Sequence, residues 1–337
     1  MTSERKYLLG CHDAGTDWCP CVLAEANKCP VCPVVGGEGE ENCTDCSWQG
    51  VCIHERFISS GCAVNSRQFR PLLIKKMTQL ADNLFQAMLE VPREWMFDLK
   101  KPGSFIMVKS TRNNESYATP MAVYTIDGSE TMSIIFEVRG PKTRALIQEK
   151  AVWDVKGPFL SGLWGGRRLL QFSDAECLIV SSGTGQSLLP KVAHYLMQNG
   201  NEVSIVIEAS NNGMIYALDE LSTLTSEAFS VQLLVSPLND MRISLMSVIP
   251  KYSCDLLVSL GGDYLHQQIS NLKPSGAEWV ASNNSIMVCG EGTCGSCGVI
   301  MEDGEELRGC KVDLPPERIF RKETVNTSPK GGFSDDL

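Results

Sequence analysis

The chain has 337 residues, of which 43% are apolar, and a formal net charge of -10. That length holds two or three domains with genuine cores, and the acidity argues against nucleic acid or an anionic membrane as partner. No apolar run reaches the length of a membrane-spanning helix, and the opening Met-Thr-Ser-Glu-Arg-Lys is not followed by the apolar stretch of a leader, so the sequence predicts a cytoplasmic protein. Fifteen cysteines in a reducing compartment read as metal ligands rather than disulfides, and as the mark of an anaerobic or protected setting.

Residues 1–66 carry nine of those cysteines: Cys11, Cys19, Cys21, Cys29, Cys32, Cys43, Cys46, Cys52 and Cys62. The segment is loop-rich, with Gly36-Gly37-Glu38-Gly39 at its middle, and has too little periodic apolar sequence to build a core. Metal is expected to hold it together. Two C-x2-C pairs, Cys29/Cys32 and Cys43/Cys46, lie ten residues apart, which suits a zinc ribbon or a rubredoxin-like iron site. Nine thiols exceed one such site, so the count points to a 4Fe-4S cluster together with zinc or a second cluster, with the ligand assignment open. His12 and His54 lie among these cysteines as alternative ligands, whereas His194 and His266 fall on helices as surface or packing residues.

Residues 67–84 read as a helical connector, because Leu72, Leu73, Met77, Leu80 and Leu84 recur at helix-like intervals within Phe69–Leu89. Residues 85–173 then change to short β-rich runs, 103–109, 121–126, 132–138 and 151–155, bounded by Pro-Gly, Asp-Gly and Gly-Pro signals. They predict a small antiparallel barrel. Over 174–285 strands and helices alternate: a buried strand at 175–182, a turn at Gly183-Thr184-Gly185-Gln186, a helix over 187–198, and strands at 203–208, 231–235 and 255–260. Such alternation gives a parallel, doubly wound sheet, in which Cys177 and Cys254 are core residues. The turn at Gly183–Gln186 joins a strand to a helix, where backbone N–H groups and the helix N-terminus hold phosphate, although it is shorter than the full G-x-G-x-x-G fingerprint. Glu208, at the end of the next strand, is placed to accept a bond from a ribose hydroxyl.

Residues 286–337 form a last small domain and tail. Cys289-Gly-Glu-Gly-Thr-Cys294-Gly-Ser-Cys297 is closed by Cys310 after twelve further residues. Four thiolates satisfy a 2Fe-2S cluster, and three of them within nine residues demand a loop that curls around the metal. Gly290, Gly292, Gly295 and Gly298 permit that curl and let backbone N–H groups approach the sulfurs. A structural zinc knuckle is the competing reading, but zinc favours two C-x2-C pairs from separate hairpins.

The cysteine spacing resembles that of the dihydroorotate dehydrogenase electron-transfer subunits and their relatives, the small subunits of sulfide dehydrogenase and of the bifurcating NADH-dependent NADP reductase, within the ferredoxin-NADP reductase superfamily. Upstream, Lys101-Pro-Gly-Ser-Phe-Ile-Met-Val resembles the strand entry of the superfamily's flavin domain, and Gly157-Pro-Phe-Leu-Ser-Gly its closing turn. Gly183, Gly185 and Pro190 match its nucleotide turn. The resemblance covers about residues 85–320 and implies FAD on the barrel, NAD(P)H on the α/β domain and a larger flavoprotein or other oxidoreductase subunit as partner. Pro120, Met121, Ala122, Tyr124, Gly140, Lys142 and Thr143 are the implied flavin positions, and Gly261, Gly262 and Asp263 the implied nicotinamide turn.

Two motifs depart from the superfamily. Where it carries Arg-Pro-x-Ser, this chain has Thr119-Pro120-Met121-Ala122, and where it carries Cys-Gly-Pro, this chain has Gly261-Gly262-Asp263. The sequence therefore predicts an iron-sulfur flavoprotein subunit that relays electrons between NAD(P)H, FAD and a partner. The alternative is a non-catalytic assembly subunit that keeps the fold and cluster without flavin or nicotinamide. No nucleophile-base pair argues for hydrolysis, no individual catalytic residue stands out, and a metal-sensing regulator lacks a nucleic-acid-binding surface.

Overall fold

The structure, a computed structural model, describes residues 10–14, 16–19, 21–25, 28–31, 67–111, 118–128, 130–209, 214–223, 229–235, 241–301, 304 and 306–320. Six antiparallel strands close a barrel: β1 (Arg70–Ala81), β2 (Leu84–Glu90), β3 (Phe105–Ser110), β4 (Thr119–Ile126), β5 (Thr131–Glu137) and β6 (Val152–Phe159), in the order β1-β2-β5-β4-β3-β6. Helix α1 (Pro141–Gln148) lies between β5 and β6. The barrel expected from the sequence is present, but the helical connector is not. Residues 70–90 form the β1–β2 hairpin, turned at Asp82-Asn83. The helix-like spacing has a physical cause: the β1–β2 register shifts between Ile74 and Lys76 and again between Gln79 and Ala81. Bulges of this kind break the two-residue alternation of a strand and stretch its apolar repeat toward three or four. Leu72 is buried in the barrel while its neighbour Leu73 is exposed.

β3 shows how one strand serves two cores. Ile106 and Val108 point into the barrel with Leu89, Met132, Ile134 and Trp153, whereas Phe105 and Met107 point outward onto Phe159, Met287, Cys297 and Cys310. Side chains alternate across a strand, so a run apolar on both faces is buried on both faces.

The second domain is a six-stranded sheet ordered β10-β9-β8-β11-β12-β7, built from β7 (Leu163–Trp164), β8 (Glu176–Ser182), β9 (Glu202–Ala209), β10 (Phe229–Val235), β11 (Leu256–Leu260) and β12 (Glu278–Ser282). All its pairs are parallel except β12–β7. Helices α2 (Leu189–Gln198), α3 (Met241–Val248) and α4 (Asp263–Leu272) connect the strands. Apolar residues on both faces of β8 explain its place in the middle. Cys177 and Ile179 pack on α2, and Leu178 and Val180 pack against Leu265, Ile269 and Trp279. The Cys177 thiol is pushed up to about 12 by burial, as suits a core residue. From β8 the chain winds outward to β9 and β10, then returns on the other side to β11 and β12. The point of reversal is a crevice at the carboxyl ends of β8 and β11, where open sheets of this type bind ligands.

After β12 a short connector leads to the cysteine loop and a two-stranded hairpin, β13 (Gly298–Ile300) with β14 (Glu306–Arg308). The described N-terminal residues pack against this last unit through an isolated bridge between Cys11 and Val312.

Candidate functional site

The crevice at the switch point is a cleft of about 860 Å³ between barrel and sheet, within the size range of small-molecule and cofactor sites. Its sheet side is the turn Gly183–Ser187 after β8 and the turn Gly261-Gly262-Asp263 after β11, and its barrel side is Thr119–Ala122 on β4 with Arg139 and Thr143. The two turns touch. A Cβ on Gly185 would overlap the Leu260 carbonyl, so only glycine lets the β8 turn cross the end of β11. Of the positions expected from sequence, Pro120, Met121, Ala122, Thr143, Gly183, Thr184, Gly185, Gln186, Gly261, Gly262 and Asp263 all line this one cleft. Gly140 caps the N-terminus of α1, and its N–H donates to Thr143 Oγ1 at 3.3 Å, which anchors the Arg139–Thr143 corner. Lys142 lies in the same first turn of α1 but not among the lining residues.

Tyr124 and Glu208 lie behind the wall. Tyr124 is buried, meets Tyr216 edge-on with ring centroids 6.0 Å apart, and donates to the Tyr216 carbonyl at 3.1 Å. Tyr216 reaches the cleft where Tyr124 does not, beside Phe105 and Phe136. Glu208 is buried under the β8 turn and accepts a bond from Ser182 Oγ at 2.7 Å. Gln186 fixes the segment carrying Tyr216: its carbonyl oxygen accepts from the N–H of Tyr216 at 3.1 Å and its amide donates to Met214 O at 3.2 Å.

A buried polar chain supports the glycine turn. Trp279 Nε1 donates to Ser259 Oγ at 2.9 Å, Ser259 Oγ lies 2.8 Å from His266 Nδ1, and His266 Nε2 lies 3.0 Å from Ser282 Oγ. Ser282 accepts from the Gly261 N–H at 3.0 Å and donates to the Gly261 carbonyl at 2.8 Å. Burial lowers the His266 pKa to about 4, so the neutral imidazole holds this chain. His266 was placed by sequence as surface or packing, and it is fully buried packing with a specific task. A single histidine on an amphipathic helix carries no sign of which serines the fold will bring to it.

Beyond β3 lies the cysteine loop. Gly290, Gly292 and Gly295 have φ of +71°, +81° and +74°, the left-handed curl expected of them. Cys289, Cys297 and Cys310 are neighbours, and hydrogen bonding among the three lowers the pKa values of Cys289 and Cys297 and raises that of Cys310. Cys289 also accepts from the Thr293 hydroxyl and from backbone N–H groups, that of Glu291 at 3.3 Å. Cys294 is exposed on the rim, 3.1 Å from Ser296 Oγ. Among the described residues, no group of three or more His, Cys, Asp or Glu side chains has the arrangement of a metal-ion site. The residue types on this loop are those an iron-sulfur cluster uses, with Cys289, Cys297 and Cys310 as neighbours, Cys294 on the same loop and the Glu291 N–H facing Cys289.

The loop and the cleft share a wall. Phe105 and Met287 line the cleft and pack in one cluster with Cys297 and Cys310. Asn283, also in the lining, donates to Ser161 O at 2.8 Å and to Gly309 O at 2.9 Å, tying the cleft to the residue before Cys310. Of the N-terminal thiols, Cys11, Cys19, Cys21 and Cys29 are described, and burial with the Asp13 charge pushes Cys11 up to about 12. Cys32, Cys43, Cys46, Cys52, Cys62 and His54 lie outside the described residues.

No family model matches the chain. It is 24% identical over 276 residues to the electron transfer subunit of dihydroorotate dehydrogenase B (NAD(+)) from Enterococcus faecalis, covering 77% of this chain and 98% of that one. A homolog of the same subunit from Thermotoga maritima is 24% identical over 262 residues, covering 71% of this chain and 86% of that one. The solved structure of an NADH-dependent reduced ferredoxin-NADP oxidoreductase, studied for flavin-based electron bifurcation, superposes with a TM-score of 0.55 at 21% identity, over 74% of this chain and 92% of that one. The chain thus has the barrel and sheet of the ferredoxin-NADP reductase fold and, along most of its length, is similar to the dihydroorotate dehydrogenase electron-transfer subunits.

Proposed function

We propose that the protein is an electron-transfer flavoprotein subunit in which the cleft takes FAD and NAD(P)H and the Cys289–Cys310 unit carries a 2Fe-2S cluster. One observation carries this reading: a cleft of cofactor size at the switch point shares Phe105 and Met287 with the wall around Cys297 and Cys310. A flavin held in the cleft would supply hydride acceptance and one-electron release, and a cluster held by Cys289, Cys294, Cys297 and Cys310 would supply one-electron transfer. The chain's own residues set the geometry. The Gly183–Ser187 turn and the N-terminus of α1 offer backbone N–H groups to phosphate, and the His266–Ser282 chain holds the Gly261 edge in place. A separate oxidoreductase subunit is the partner, as the names of the E. faecalis and T. maritima relatives suggest. The N-terminal cysteines carry a further 4Fe-4S cluster, zinc, or both.

A second reading, a non-catalytic assembly subunit, is favoured by one feature of the cleft. Thr119 and Ala122 stand at the positions of the flavin clamp, and Arg139, the guanidinium in the lining, is held by Glu137 at 2.6 Å. The two readings separate in one sample. Anaerobically purified protein is assayed for flavin and iron, and its spectrum recorded before and after NADH and NADPH. The relay reading expects bound FAD that bleaches with one of the nucleotides, and iron without flavin establishes the assembly reading.

A further inference from the structure

Against the cysteine loop, at Glu291 and the Cys289 carbonyl, five charged side chains meet in the interior. The Arg67 guanidinium, with the residue 2% exposed, lies between the rings of Trp18 and Phe159 at 4.6 and 4.5 Å. It donates to both Asp13 oxygens at 2.6 and 3.2 Å, to Glu291 at 3.3 Å and to the Pro158 carbonyl. Lys311, 0% exposed, meets the same two carboxylates at 2.5 and 3.0 Å. Lys156 lies 3.4 Å from Glu291 and donates to the Cys289 carbonyl at 3.1 Å. Buried charges are tolerated only when paired in good geometry, and removing one partner leaves the others uncompensated.

The place of these residues in the chain gives the cluster its meaning. Glu291 lies inside the cysteine loop and Lys311 directly follows Cys310, so the Lys311–Glu291 ion pair ties the loop to the residue after its fourth cysteine. Asp13, which joins Arg67 to Lys311, comes from the N-terminal segment. That segment is fastened alongside by main-chain bonds, His12 N–H to Lys311 O and Asp313 N–H to Gly10 O, each 2.9 Å. Leu23 lies over Gly292 so closely that a Cβ there would sit 2.9 Å from it. Gly290, Glu291 and Gly292 are buried beneath this cover, while Thr293, Cys294 and Ser296 remain exposed.

We infer that Asp13 and Arg67 are positioning residues for the Cys289–Cys297 loop, and that the described residues 10–14 and 21–25, with Asp13 and Leu23 among them, form a fixed lid that covers Gly290–Gly292 and leaves the Cys294 edge of the loop open. The inference deepens the proposed cluster site, since it says what holds the loop in shape. Its test needs no cluster. The metal-free full-length chain is treated with iodoacetamide, and the rate at each cysteine is read by peptide mapping. In the natural chain Cys294 is expected to react fast and the buried Cys297 and Cys310 slowly, as does Cys177 in the sheet core, with the half-buried Cys289 between them.

Asp13→Asn leaves three cations facing Glu291 alone and is expected to raise the rates at Cys289, Cys297 and Cys310 on the order of a hundredfold, with Cys177 unchanged. Leu23→Ala keeps every charge and is expected to raise the same three rates by roughly tenfold. If Asp13→Asn also exposes Cys177, the chain has unfolded and the Leu23→Ala rates decide. Rates at the three thiols that stay at their natural values in a folded variant overturn the lid. A chain that takes up no 2Fe-2S cluster on reconstitution refutes the function proposed above, and the lid still stands or falls on its thiol rates.

Discussion

The cleft is lined largely by backbone turns and short side chains, whereas the cysteine loop is gripped by long charged side chains that reach it from far along the sequence. Asp13 and Lys311 are 298 residues apart, and Arg67 and Glu291 are 224 apart. Sites of the first kind tolerate change in any one side chain, because the turns at Gly183–Ser187 and Gly261–Gly262 are set by strand order and by glycine. The cleft stands with only the short side chains of Thr119 and Ala122 on that part of its barrel wall. Sites of the second kind are brittle, because each buried charge depends on the others.

The contrast can be broken at several points. The largest effect is expected at the loop: Cys297→Ser should abolish the iron bound there, while Cys177→Ser should leave iron content unchanged, both read by metal analysis after anaerobic reconstitution. Arg67→Met strands Asp13 and Glu291 with fewer cations and should cost about 3–5 kcal/mol by denaturant titration. Gly185→Val in the cleft should cost about 1–3 kcal/mol through collision with the Leu260 carbonyl, and should weaken flavin or nucleotide binding by fluorescence titration.

Lys191 on α2 sharpens the comparison further, because its ammonium donates to Leu99 O, Ser104 O and Ser104 Oγ across the domain seam and has no carboxylate partner among the described residues. Burial lowers its pKa from 10.5 to about 7. Between those values the folded chain holds fewer protons than the unfolded one, so this group makes stability rise with pH from about 7 to 10.5. The melting temperature is expected to climb by a few degrees over that interval, less in Lys191→Met. The smallest effect belongs to Arg70 and Glu94, only 2.5 Å apart but 48% and 60% exposed, where Glu94→Gln should change stability by less than about 1 kcal/mol.

What the sequence disclosed follows the same division. The strand-turn-helix that ends at Gln198 and the β-runs of the barrel are local patterns found where their residues predicted them, and of the four loop glycines Gly290, Gly292 and Gly295 take the left-handed conformation whereas Gly298 begins β13. The β1–β2 hairpin was hidden because two bulges disguised its alternation. Tyr124 and Glu208 sit at the right ends of the right strands, but which face of each strand meets the cleft depends on register and packing across domains. The ion cluster was invisible for a simpler reason: Asp13, Arg67, Glu291 and Lys311 are ordinary charged residues until the fold brings them together.

The most direct test of the account is electron paramagnetic resonance of the anaerobically reconstituted, dithionite-reduced protein, run beside the Cys310→Ser variant and with flavin quantified in the same sample. A 2Fe-2S signal is expected in the natural chain and lost in the variant, with FAD bound in both. A natural chain without that signal, or a variant that retains it, would contradict the assignment of the cluster to the Cys289–Cys310 loop.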